Sequence, residues 1–204
     1  MKTMPARFHK NRIVFFACII SVILLLTGCI TPTQQHRKYI SRILADDGIK
    51  TEKQLCAFFM DSKPSADKEL VQRLAHYYVI EAKAEGINSD CAFVQMCLET
   101  GWLTFGNLVT KDMHNYCGLG SIDEKHPGES FETEQLGVRA HIQHLHAYAT
   151  TSDIALKNKL IDNRYKYVVP RGKAPTIYGL AGTWAADTEY GKKLDKLLSK
   201  LENY

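Results

Sequence analysis

The chain has 204 residues, with 26 basic and 22 acidic side chains and a formal net charge of +4. Four of the basic residues and none of the acidic ones precede residue 29, so the remainder carries 22 charges of each sign. This balance gives no support for nucleic-acid binding, which would require a basic stripe on the folded domain, and the length suits one sizeable domain but not two.

The N-terminus predicts export and lipid attachment. Basic residues precede an uncharged run over 13–26, and Thr-Gly-Cys29 follows it. This run is shorter than the roughly 18 to 20 apolar residues of a membrane-spanning helix, and small residues before a cysteine are typical of a lipoprotein signal. We therefore expect residues 1–28 to be a signal peptide, Cys29 to carry the lipid, and residues 29–38 to be a polar tether. An uncleaved anchor, the alternative, would also hold the domain at a membrane of the cell envelope, facing the periplasm or the exterior.

Four further cysteines follow the proposed lipid site: Cys56, Cys91, Cys97 and Cys117. In an exported protein they allow two disulfides. However, Cys56 and Cys97 lie in apolar helical patterns, where a free cysteine acts as a small core residue. We favour buried thiols, with disulfides as the alternative.

From Tyr39 onward the spacing of apolar residues predicts a mainly helical domain over 39–204. Its first two segments are a helical stretch from Tyr39 to Leu44 and a helix that opens at a capping box of Thr51 and Gln54. The later predicted helices cover about 66–84, 91–101, 133–150, 154–160 and the stretch from 187 onward. An irregular insert over 101–130 separates two of them, and long irregular inserts are usually functional.

Glu99 is the only charged residue in the apolar helical stretch that begins at Cys91. Burial and the negative end of the helix dipole both disfavour an ionised carboxylate at a helix C-terminus, so its proton is held more tightly. This property suits a general acid, which glycoside hydrolysis requires. An exposed Glu at a helix end is the alternative on position alone.

Three ordered segments resemble the glucosaminidase family. Glu99-Thr-Gly-Trp102 is similar to the family's catalytic Glu-Ser/Thr-Gly-Trp, and 114–120 (His-Asn-Tyr-Cys-Gly-Leu-Gly) resembles Asn-Asn-hydrophobic-Phe-Gly-Ile-Lys. Residues 183–190 (Thr-Trp-Ala-Ala-Asp-Thr-Glu-Tyr) resemble Tyr-Ala-Thr-Asp-Pro-x-Tyr. The resemblance covers about 75–202 and implies a mainly α, lysozyme-like fold (α+β) with a substrate groove between two lobes and a short loop or hairpin insert.

The resemblance also implies roles for individual residues. It makes Glu99 the general acid, Tyr190 an active-site aromatic, and Asn115 with Gly118 the wall of the groove. Aromatic side chains in these segments are candidates to stack on a sugar face, with core packing as the alternative. These aromatic residues are Trp102, Tyr116 and Trp184.

Many family members carry a second acid on a longer hairpin, which looks shortened here. The acids available in this part of the chain are Asp123, Glu124, Glu129 and Glu132. We expect Glu129 or Asp123 to position the attacking water, unless the acetamido group of the substrate assists and no second carboxylate is needed.

Two rival functions are open. The motif His141-Ile-Gln-His144-Leu-His146 suggests a zinc-dependent wall amidase, but His146 points away from the other two and no Glu completes an His-Glu-x-x-His pattern. A non-enzymatic lipoprotein that only binds peptidoglycan is the second rival, although Glu99 in a desolvated site is costly without chemistry.

The sequence therefore predicts a monomeric peptidoglycan hydrolase. It is expected to be an endo-β-N-acetylglucosaminidase that cleaves between N-acetylglucosamine and N-acetylmuramic acid, without a cofactor or metal. Its partners are then the glycan strands and, through the lipid on Cys29, a membrane.

Overall fold

The computed structural model describes residues 39–106 and 108–204. Within these residues, five α-helices carry the fold, and short 3₁₀ turns lie between some of them. The helices are α1 (Glu52–Ser62), α2 (Lys68–Glu85), α3 (Ser89–Glu99), α4 (Glu134–Ala149) and α5 (Tyr190–Leu201). The predicted signal peptide, lipid site at Cys29 and tether lie outside the described residues.

Helix α3 is the centre of the domain. It packs against all four other helices, and every side chain from Ser89 to Cys97 is buried. A helix that is apolar on all sides is stable only when it is surrounded, and the neighbouring helices supply that environment. The last turn of α3, which carries Glu99, therefore emerges from the core at a position fixed on several sides.

Local signals set the helix boundaries. Thr51 and Gln54 form the predicted capping box of α1, and the Asp67 side chain accepts hydrogen bonds from two backbone N–H groups at the start of α2. Asn88 caps α3 in the same way, and Thr133 caps α4. Side-chain oxygens at these positions satisfy backbone donors that have no partner within the helix. The five helices confirm that the described part of the domain is mainly helical, as predicted.

The predicted helix over 39–44 is wrong, because this segment is extended. Ile40 and Leu44 are buried, whereas Tyr39 and Ile43 are 67% and 49% exposed. A spacing of four residues fits an extended chain as well as a helix, because positions an even number apart share a face. The backbone N–H of Leu44 donates to the carbonyl of Pro175, a partner from another part of the chain.

The predicted helix over 154–160 is also absent. Ile154 and Leu160 are exposed, so the segment has no apolar face to bury. Its backbone is held instead by a carboxylate of α2, because the N–H groups of Lys157 and Asn158 donate to Glu85 at 2.8 and 2.9 Å.

The insert between α3 and α4 is a folded loop. Residues 122–126 make one tight turn, in which the N–H of Ile122 donates to the carbonyl of His126. Across 39–106 and 108–204, β structure is limited to three isolated bridges. This agrees with a lysozyme-like helical domain that carries a short insert.

All four cysteines of the domain are free and buried, so the prediction of buried thiols is confirmed over that of disulfides. Burial raises the pKa of the Cys97 and Cys117 thiols well above the ordinary value. In the part of the chain that the structure describes, no helix combines the length and apolar character needed to span a bilayer.

Candidate active site

A left-handed turn follows Glu99 and forms the first residues of the insert. Gly101, Trp102 and Leu103 have φ angles of 55°, 58° and 58°. The Thr100 hydroxyl donates to the carbonyl of Met96 and accepts from the N–H of Leu103 at 2.9 Å, which closes the end of α3. Such a conformation costs energy in residues other than glycine, so the surrounding packing must hold it in place.

Trp102 supplies that packing from the far side of the turn. Its ring lies 5.3 Å from the Phe58 ring and 5.2 Å from the Phe59 ring, both in α1. It does not line the cleft at Glu99 but a separate cavity beside Lys63 and Leu70. This placement favours the core alternative over sugar stacking, and it explains the motif, because Trp102 anchors the turn that presents Glu99.

One oxygen of Glu99 receives both of its hydrogen bonds. Trp184 Nε1 donates to Oε1 at 2.9 Å, and the Tyr190 hydroxyl donates to the same oxygen. Burial raises the pKa of Glu99 above its usual range, and these two bonds act in the opposite direction. Burial and the charge of Glu99 also raise the pKa of Tyr190, which keeps its phenol protonated. Neither of these two bonds engages the second oxygen, Oε2.

Glu99 lies in a cleft of about 280 Å³. One wall is the insert, with Asn115, Cys117, Gly118 and Ser121, and the other is formed by Trp184 and Ala185. This arrangement matches the groove between two lobes that the resemblance implied.

Asn115 and Gly118 lie in the insert wall of the cleft. Asn115 is buried, and its amide donates to the carbonyls of Leu119 and Glu129 at 2.9 and 3.0 Å. Its Oδ1 also accepts from the N–H of Leu119 at 2.9 Å. Gly118 has φ +67°, a conformation that glycine adopts without steric cost. Together they hold the loop in the form that faces Glu99.

The predicted stacking role of Tyr116 is not supported, because the side chain is only 2% exposed and belongs to the core. Phe105, half-buried and 6.4 Å from the Tyr116 ring, lines the cleft instead. It is the aromatic residue of the insert that is placed to contact a sugar.

Trp184 lines the cleft and is held by three aromatic rings of α4. The rings of His141, His144 and Tyr148 lie 5.8, 5.2 and 5.3 Å from it. The Tyr148 hydroxyl also donates to the carbonyl of Thr183 at 3.0 Å. These contacts aim the indole N–H at Glu99, so Trp184 has a role in orienting the acid as well as in forming the wall.

The predicted second acids do not line the cleft. Asp123 is exposed and lies 2.9 Å from His126 in the tight turn. Glu129 is half-buried, and its Oε2 accepts a bond from Asn163. Glu124 and Glu132 are exposed. Among the described residues that line the cleft, Glu99 is the only carboxylic acid.

The histidine motif of α4 is divided among separate partners. His144 Nδ1 lies 2.7 Å from Asp162, and His146 Nδ1 lies 3.0 Å from the Tyr165 hydroxyl. His141 is buried and has partners of its own. Within residues 39–106 and 108–204, no three His, Cys, Asp or Glu side chains are grouped as a metal site.

Comparison with known proteins places the chain in a family. Residues 75–203 match the glucosaminidase family, described as mannosyl-glycoprotein endo-beta-N-acetylglucosaminidase. An uncharacterized protein of Borreliella burgdorferi is 41% identical over 170 residues, which are 83% of this chain and 81% of that protein. No solved structure matches. The match spans Glu99, both walls of the cleft and Tyr190, so the chain belongs to the glucosaminidase family.

Proposed function

We propose that the protein is an endo-β-N-acetylglucosaminidase that cleaves peptidoglycan between N-acetylglucosamine and N-acetylmuramic acid. Family membership supports a peptidoglycan-degrading glycosidase in general. The observation that carries the proposal is the partly buried Glu99 carboxyl in an open cleft, with its Oε1 fixed by Trp184 and Tyr190.

In the first step, Glu99 protonates the glycosidic oxygen as the bond to the anomeric carbon breaks. Burial raises the pKa of Glu99 and so favours the protonated carboxyl group, and the departing sugar leaves as a neutral alcohol. The negative charge that remains on Glu99 is stabilised by the hydrogen bonds from Trp184 and Tyr190, which strengthen as the carboxylate forms.

The acetamido oxygen of the substrate is our proposed nucleophile. It attacks the anomeric carbon and forms a cyclic oxazolinium ion, which water then opens while the Glu99 carboxylate accepts a proton from that water. This route needs one carboxylate, and Glu99 is the only one among the described residues that line the cleft.

Alanine at each of Asp123, Glu124, Glu129 and Glu132 tests this route. All four variants are expected to keep kcat within about twofold of the wild type, because none of these carboxylates lines the cleft. Initial rates on solubilised peptidoglycan measure the effect. A loss of about 100-fold in one variant would identify that residue as the base and reject substrate assistance.

Phenylalanine at Tyr190 removes one donor to Glu99 and should have two effects. We expect kcat to fall about tenfold, because a charge-assisted hydrogen bond to the developing carboxylate is lost. In the wild type, the bond from Tyr190 lowers the pKa of Glu99, so its loss should raise that pKa. Because only protonated Glu99 is active, the alkaline limb of kcat/KM should move to higher pH. An unmoved limb would show that another group titrates there.

The bond that is cleaved identifies the activity. The full chain in detergent is incubated with purified peptidoglycan, and the fragments are reduced with borohydride and analysed by mass spectrometry. Reduced N-acetylglucosamine ends, unaffected by EDTA, are expected. Released peptides without new reducing ends, abolished by EDTA, would instead indicate an amidase. Intact glycan would indicate a protein that binds the wall without cutting it.

We also propose that the mature protein is a monomer anchored to an envelope membrane by lipid on Cys29. The support is the uncharged run that ends in Thr-Gly-Cys29. Mass spectrometry of the mature N-terminus tests the lipid attachment, and an unprocessed N-terminus would contradict it in favour of an uncleaved anchor. Sedimentation of the chain in detergent tests the monomeric state.

A further inference from the structure

A chain of buried hydrogen bonds extends inward from the catalytic carboxyl. The Tyr190 hydroxyl, which donates to Glu99, accepts a bond from Gln95 Nε2 at 2.9 Å. Gln95 is 1% exposed and precedes Glu99 by one turn of α3. Both side chains therefore project from the same face of the helix.

The chain continues from α3 into α4 and α2. His141 Nε2 lies 3.2 Å from Gln95 Oε1, and His141 Nδ1 lies 2.8 Å from the Tyr78 hydroxyl. His141 and Tyr78 are both fully buried. Four helices, α2 to α5, thus contribute to a single line of polar contacts that ends at the acid.

With Gln95 Nε2 towards Tyr190 and Oε1 towards His141, each bond of the chain has one direction. The amide oxygen of Gln95 can only accept, so His141 carries its proton on Nε2 and leaves Nδ1 to accept from Tyr78. Burial lowers the pKa of His141 to about 3, which keeps the ring neutral. All donors in the chain therefore point towards Glu99.

The orientation of the Gln95 amide matters because a phenol has only one proton. With the amide reversed, Gln95 Oε1 would face Tyr190 and accept that proton, and Tyr190 would no longer donate to Glu99. The Nε2–H of His141 opposes this reversal, since it would then face the amide N–H₂, another donor.

We propose that His141 is a positioning residue for catalysis: through Gln95, it fixes the direction in which the Tyr190 hydroxyl donates to Glu99. The role rests on the proposed glycosidase activity. It requires neither contact with substrate nor a change of charge on the ring.

Kinetics on the full chain in detergent test the role, with solubilised peptidoglycan as substrate. His141→Leu is expected to lower kcat about tenfold with KM within about twofold, because the donor to Gln95 is lost while leucine still fills the space beside Trp184 in the cleft wall. His141→Gln, whose amide N–H replaces Nε2–H, should recover most of kcat, whereas His141→Asn, whose shorter side chain replaces Nδ1, should not. The double variant with Gln95→Leu should be no slower than the slower single variant, since both act through one bond.

His146→Leu is the matched control. His146 is buried on the same helix, but its partners are Tyr165, Thr150 and Arg171, away from the chain that leads to Glu99. It should lose stability but keep its kcat. If His141→Leu in an active, folded chain also keeps its kcat, the positioning role is wrong. If the wild type releases no N-acetylglucosamine ends, the proposed function falls and the catalytic role falls with it.

The tautomer of His141 gives a second readout that needs no variant. Nitrogen NMR of the full chain labelled at histidine should show a neutral ring with the proton on Nε2 between about pH 5 and 8. The Nε2–H tautomer supports the direction derived above. A proton on Nδ1, or a charged ring, would overturn the proposal even in an active enzyme.

Discussion

Glutamine at Glu99 is expected to lower kcat on peptidoglycan by about 10²- to 10⁴-fold, the range that a general acid contributes. The amide has nearly the same shape and can still accept the bonds from Trp184 and Tyr190 through its oxygen. The variant should therefore fold normally and lose only the transferable proton. Initial rates measured together with binding to insoluble peptidoglycan separate loss of catalysis from loss of affinity.

The same variant is expected to be more stable than the wild type at neutral pH. Burial raises the pKa of Glu99 in the folded state, so this carboxyl destabilises the fold increasingly as the pH rises above its unfolded-state pKa, and the penalty is complete above the folded-state pKa. The neutral amide removes this penalty, and the difference in Tm should disappear as the pH falls below the ordinary carboxyl range. Each kcal/mol corresponds to about 2–4 °C in a domain of this size.

Glu124→Gln, which changes an exposed carboxyl, is the control and should alter neither kcat nor Tm. Full activity in Glu99→Gln would remove Glu99 from the mechanism. A lower Tm than that of the wild type at every pH would show that the carboxylate stabilises the fold, against the expectation from its burial.

Glutamine at Glu81 should destabilise the fold by about 3 kcal/mol, or roughly 6–12 °C in Tm. Glu81 is 2% exposed, and Arg139 donates to both of its oxygens, at 2.8 and 2.9 Å. Gln135 and Asn158 donate to it as well, at 2.7 and 3.1 Å. An amide would turn a donor towards these donors and leave the guanidinium without a counter-charge. The magnitude is at the low end for a buried pair because the Arg139 side chain is 21% exposed.

The pH dependence of this loss has a defined sign. Burial alone would raise the pKa of Glu81, but the bonds from Arg139, Gln135 and Asn158 outweigh it, and the pKa lies below its usual value. The contribution of Glu81 to the free energy of unfolding is therefore complete above the unfolded-state pKa and is lost as the pH falls through the folded-state pKa. Thermal melts of wild type and Glu81→Gln should converge in acid.

Leucine at both Glu81 and Arg139 should recover much of the loss, because neither charge is then left buried alone. Glu132→Gln, at an exposed carboxyl, should leave Tm unchanged. Equal stability of Glu81→Gln and the wild type at pH 7 would mean that the ion pair contributes nothing net.

Local features of the sequence predicted most of the helices. Thr51, Asp67 and Asn88 cap helices through atoms two or three residues away, so the signal and its effect lie in the same stretch of sequence. The failures arose where distant partners decide the conformation. Pro175 holds the extended segment near Leu44, and Glu85 binds the backbone of residues 157 and 158.

The candidate site divides in the same way. Glu99 was predictable as the one charge in an apolar helix, but the donors that hold it lie 85 and 91 residues further along the chain. Family resemblance pointed to Tyr190 and placed Trp184 on the substrate side. No local signal linked Gln95 or His141 to Glu99, and the motif around His141 suggested zinc instead. A buried glutamine and a histidine on a core face acquire the positioning role only through the packing of α3 against α4.

Helix α4 lies behind both sides of the cleft. On one side, its Gly137 lets the insert approach so closely that an added Cβ would lie 1.8 Å from the carbonyl oxygen of His114. On the other side, its aromatic residues support Trp184. The width available to a glycan strand therefore depends on a helix that lies behind the lining. Two members of the family with identical lining residues can still admit strands of different bulk, if they differ at the α4 positions that correspond to Gly137 and to the aromatic residues behind Trp184.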